Sequence, residues 1–157
     1  MKVTIGPYTN YNRKTKKTPE RKISVKIDKY DTWNMDKTLS LIIFPMLVQM
    51  KKEKMGVPGS FLSEEYNNLV SSSEYHLEKE SGPLHKKEKV LFKAAVKAWN
   101  DVFDKMIWSF KEISTCCPGE DKYFKNKSFD KAGYLKYNEK IQEGLTLFGT
   151  YYRNLWD

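Results

Sequence analysis

Phe92, Val96, Trp99, Phe103, Met106, Phe110 and Ile113 recur at steps of four and three. That spacing puts all seven on one face of a helix. A chain with this seam must bury it against other elements. Two further seams supply them. Leu39, Ile42, Ile43, Met46, Leu47 and Met50 form one helical stripe, with Leu41, Phe44 and Val48 making the opposite flank apolar too. Tyr134, Tyr137, Ile141, Leu145, Phe148, Tyr152 and Leu155 form the third. The spacing predicts helices from the Asp31–Asp36 junction to about Lys54, from about Lys87 to Ser114, and from about Lys131 to the C-terminus. The first is apolar nearly all round, so it is expected to be buried on several sides. Pro45 should bend it, because proline cannot donate to the carbonyl of Leu41. Asn34 or Asp36 is the expected cap and Gly56 the expected stop.

The N-terminal part has a different period. Val3 and Ile5 alternate with polar neighbours, as do Ile23, Val25 and Ile27. Period two predicts half-buried strands, paired as a hairpin. Residues 12–22 between them carry six basic side chains against one acid and read as a mobile basic connection. Residues 60–86 read as a polar linker, with a short helix over Glu64–Val70. The fold class expected is α+β in a single domain: an N-terminal β-hairpin packed on a mainly helical bundle of three long helices.

Composition limits the function. Aromatics make up 14% of the 157 residues, which is more than a disordered chain carries. The net charge of +8 favours anionic partners and says nothing about fold. Arg13, Lys14, Lys16, Lys17, Arg21 and Lys22 would give salt-sensitive, nonspecific contact with nucleic acid. Cys116 and Cys117 are adjacent, which suits neither a disulfide nor a zinc site, so free thiols in a reducing cytoplasm are expected. The first residues lack the apolar core of a signal peptide, and Leu41–Val48 is too short to span a bilayer.

Catalytic patterns are missing. There is no phosphate-cradling glycine loop and no nucleophile elbow, and His76 and His85 lack metal-ligand spacing. Asp31, Asp36, Asp101, Asp104 and Glu139 are explained by helix caps and surface ion pairs. The expectation is a non-enzymatic protein without cofactor or metal.

Three blocks then stand out. "DTWNMDKTLSLIIFPMLVQMKKEKMGVP", with its Asp-Thr-Trp-x-Met-Asp start, resembles a family of small uncharacterised tailed-bacteriophage proteins. "EGLTLFGTYYRNLWD" resembles the terminal segment of the same family, and "DKMIWSF" its mid-chain segment. The basic segment and the Cys-Cys turn depart from that pattern. The resemblance implies a phage product made in host bacterial cytoplasm, with virion association as an alternative. It carries no activity with it.

Each block places a tryptophan beside charge. One reading makes Trp33, Trp108 and Trp156, with Tyr151 and Tyr152, a single aromatic core layer. The other makes them a pocket with Asp31, Asp36, Lys37 and Arg153, flat rings for a base and cations for a phosphate. On the pocket reading the chain sequesters a small anionic host molecule such as a nucleotide immune signal. The alternative is an interaction or virion-associated protein, with the hairpin arm and the aromatic face as its contact surfaces. A homo-oligomer is a further expectation.

Overall fold

A computed structural model describes residues 1–6, 14, 21–115, 120–125 and 128–156. The fold is α+β and mainly helical, as expected. Strands β1 (Lys2–Ile5) and β2 (Ile23–Lys26) pair antiparallel, with Val3 opposite Val25 and Ile5 opposite Ile23. Then come α1 (Met35–Glu53), α2 (Glu64–Val70), α3 (Ser73–Leu77) and α4 (Pro83–Ser114). A two-residue ladder of β3 (Phe124–Lys125) and β4 (Ser128–Phe129) precedes α5 (Lys131–Tyr151). Short 3-10 turns lie at Lys29–Thr32, Gly59–Phe61, Glu120–Tyr123 and Tyr152–Asn154.

The seam on α4 organises the molecule. Trp99, Phe103, Met106 and Phe110 are buried, and Leu47 of α1 joins them as the core. Their rings interlock with those of neighbouring elements. Trp99 lies 4.8 Å from Phe103, 5.1 Å from Phe61 and 5.3 Å from Tyr151, and Phe110 lies 4.8 Å from Phe148. Aromatic pairs at these separations add to the energy of burial alone. Polar contacts fix the directions of the helices. Lys51 meets Asp104 at 2.5 Å and Lys54 meets Asn100 at 2.6 Å, so α1 runs antiparallel to α4. Lys105 meets Glu143 and Tyr137 meets Glu112, so α5 is antiparallel to α4 as well. Hence α1 and α5 run parallel to each other, both seated on α4.

Close approach of α4 and α5 depends on Gly144. A Cβ there would lie 2.6 Å from the Lys105 carbonyl oxygen and strike Ser109. Ser109 is fully buried and donates its hydroxyl to the Lys140 carbonyl at 3.3 Å. A small residue on each helix therefore brings the two backbones together.

Helix termini explain where the boundaries differ from expectation. α4 begins at Pro83, earlier than Lys87, because proline suits the first helical position, where its missing N–H would have no helical partner. Gly82 offers no side-chain cap, so the Glu78 carboxylate accepts from the N–H groups of Leu84 and His85 at 2.8 and 3.3 Å. Ser63 and Ser72 cap α2 and α3. The stretch 60–86 is thus more structured than a linker. α1 stops at Glu53, before Gly56, and Asn34 precedes it without a side-chain cap bond. Pro45 sits within an uninterrupted α1 on its exposed side, where water can serve the Leu41 carbonyl.

Two burial expectations are corrected. α1 is not enclosed on several sides: Leu39, Leu41, Met46 and Val48 are exposed, because α4 covers only the stripe through Ser40, Phe44 and Leu47. The hairpin strands are not half-buried either. Val3, Ile5, Ile23 and Val25 share one face at 39% to 67% exposure, because among the described residues no helix lies across it.

Candidate functional site

The sequence singled out nine site residues, and the structure distributes them over three places. The first is the junction after β2. Asp28 accepts from the Tyr30 N–H at 3.0 Å, and Asp31 accepts from the Asp28 N–H at 2.7 Å, closing a reciprocal capping box. Asp31 also takes an ion pair from the Met1 ammonium at 2.7 Å. The bond from that ammonium, then the Asp28 N–H, hold its carboxyl below the ordinary range. Trp33 stands against Tyr30 edge to face at 4.8 Å and is otherwise 75% exposed. Asp36 is exposed in the first turn of α1, and Lys37 is half-buried beside it.

The second place is the C-terminal part of α4. Trp108 is half-buried there, with Tyr137 at 5.8 Å and the Lys140 ammonium 3.9 Å above its ring. This cation–π contact ties α5 to α4. Tyr137 continues through Tyr123 toward Phe129, an aromatic ladder that needed β3 and β4 to assemble.

The third place is the C-terminal end of α5. Tyr151 packs against the core, edge-to-face with Trp99 and tilted against Phe61. Tyr152 is exposed and leans on Phe148 at 5.5 Å. Arg153 is exposed, with no ion pair among the described residues. Trp156 is 73% exposed at the mouth of a pocket of about 250 Å³ with Lys54, Met55, Trp99, Phe103 and Asn154.

One chain does not bring these places together. Met50 and Tyr152 line the same groove, and Asp36 precedes Met50 by roughly 21 Å along α1, at 1.5 Å per residue. Asp31 and Asp36 therefore lie at the opposite end of α1 from Arg153. The single aromatic core layer is corrected on the same ground: Trp33, Tyr152 and Trp156 are exposed, and the tryptophan at the centre is Trp99. Its place in the α4 seam was the signal for this.

A second concavity lies between the parallel helices α1 and α5. It is a groove of about 480 Å³ walled by Ile43, Met46, Leu47 and Met50 on one side and Phe148, Tyr152 and Leu155 on the other. Among the described residues, no cluster of three His, Cys, Asp or Glu could hold a metal ion, and no helix is long and apolar enough to cross a membrane. Lys14 is exposed, Lys22 directly precedes β2, and Arg21 donates to the Gly6 carbonyl at 2.7 Å. Arg13, Lys16, Lys17, Cys116 and Cys117 lie outside the described residues. No family model, curated protein or solved structure matches this chain.

Proposed function

We propose that this chain is an interaction protein that docks the hairpin arm onto the surface of another protein. The observation that carries this reading is the uncovered hairpin. Val3, Ile5, Ile23 and Val25 form one aliphatic face, and Ile27 extends it at 64% exposure. A two-stranded ribbon is marginal in water unless its apolar face is covered. Covering this one removes apolar area from water at roughly 25 cal/mol per Å² and stabilises the strands. The reverse face carries Lys2 opposite Lys26, a like-charge pair that repels until an acid approaches. The partner that fits is a protein with an apolar patch rimmed by carboxylates. In the setting implied by the resemblance to phage proteins, that partner is a host or virion protein.

A photo-crosslinking residue at Val25, used in producing cells, should capture one protein species. Ile23→Ser with Val3→Ser should abolish that capture and weaken binding of the purified partner at least about tenfold, or 1.4 kcal/mol. Capture that is diffuse, or unchanged by the serines, would overturn the reading.

A small anionic ligand is the second reading, and the Trp156 pocket favours it. There Lys54, whose ammonium donates to Asn100 and lies 5.6 Å from the Phe103 ring centre, lines the pocket with Met55, Asn154 and an exposed indole. A nucleotide panel read by thermal shift tests it: a true ligand raises Tm by mass action, and Trp156→Ala should remove the shift.

A further inference from the structure

We infer that the groove between α1 and α5 is the contact face for a second copy of this chain, with the two α1 helices packed antiparallel across a two-fold axis. This rests on different residues from the hairpin reading.

Three observations converge. No charged residue occurs from Thr38 to Met50, although 31% of the chain is charged. The exposed flank of that stretch, Leu39 and Met46, continues across the groove to Phe148 and Tyr152, again without charge. Interface centres are depleted of charge in this way, and two copies with net charge +8 can meet closely only on such a face.

Length is the second observation. The uncharged stretch Thr38–Met50 has 13 residues, so the seam runs about 20 Å at 1.5 Å per residue. Reaching the size of a stable interface, on the order of 800 Å² per partner, takes this seam together with the α5 wall.

Charge complementarity is the third, and it selects the occupant. Asp36 is exposed at one end of the seam and Arg153 at the other, and neither has an ion pair among the described residues. Within one chain they are too far apart to meet. An antiparallel copy, with Leu39 facing Met46 across the axis, puts Asp36 of each chain at the level of Gln49 in the other, next to Met50. Arg153 of the second copy is at that same level, beside Tyr152. The two-fold makes the pairing twice. Asp36, Tyr152 and Arg153, which the sequence grouped in one site, would then meet between two chains.

Sedimentation of the full chain over a concentration series should show a species of twice 18.5 kDa. Leu39→Glu with Met46→Glu should shift it to monomer while circular dichroism stays unchanged, since both side chains are exposed. Arg153→Asp should weaken the dimer at least about tenfold. Adding Asp36→Arg to that variant should restore it, because the opposite charges then meet in exchanged order. A wild-type monomer at every concentration would overturn the inference. So would a dimer indifferent to the glutamates, or a double exchange no tighter than Arg153→Asp alone. If the glutamate pair fails to fold, the charge exchange still decides.

Discussion

At position 144 the α4–α5 contact leaves no space for a methyl group, because Lys105 backbone and Ser109 close over it. Backbone cannot yield as the end of a long side chain would. Gly144→Ala should therefore push the helices apart and destabilise the fold by about 1–3 kcal/mol, despite alanine's better helix propensity. Urea denaturation measures this; a neutral or stabilising change would show that the helices separate at no cost. Asp31 is the second residue with a consequence of its own. Its folded-state pKa is depressed below the ordinary value near 3.8 by the Met1 ammonium and the Asp28 N–H. The stability it adds is present above the unfolded value and is lost as pH falls through the folded one. Asp31→Asn should lower stability at neutral pH, and its curve should converge with the wild type as a titration runs from about pH 6 to about pH 2. Curves that stay parallel would show that the ion pair does not bind in solution.

At the scale of elements, two of the three glycines in α5 have opposite meanings. Gly149 is exposed, and a Cβ there would touch nothing within 4 Å. Its backbone freedom is a cost in the unfolded-to-folded balance with no packing return inside the chain. Gly149→Ala should raise stability by roughly 0.5–1 kcal/mol, measured at concentrations where the chain is monomeric. A loss of stability would mean that the α5 backbone bends at this position. α1 teaches a different lesson. Its composition is that of a helix enclosed all round, yet a helix is buried only by the elements that reach it. α4 reaches one stripe, and the flank toward α5 opens into the groove instead of closing against α5 side chains. The short elements follow from local chemistry at their ends. α2 was legible as Glu64–Val70, because Ser63 stands before it as a cap and its length allows two turns. α3, with five residues, and the β3–β4 ladder, with two per strand, are too short to show a period.

At the scale of the whole molecule, the sequence by itself determined the three long helices, the N-terminal hairpin and the residues of the core seam. Each depends on periodicity, and a helix or strand displays its period in the chain's own order. The sequence also determined which side chains could act together chemically, because charge and aromatic character belong to the residues. Only the tertiary structure decided which of them meet. Asp36 and Arg153 each lie beside an aromatic ring in sequence, but the antiparallel packing of α1 and α5 on α4 puts them at opposite ends of a helix. Asp31 found its partner at Met1, across the hairpin, because the register of β1 against β2 returns the chain start to the junction. Exposure was decided in the same way. Val25 and Leu39 are apolar at any position in the chain, but whether water touches them depends on the elements that pack over them.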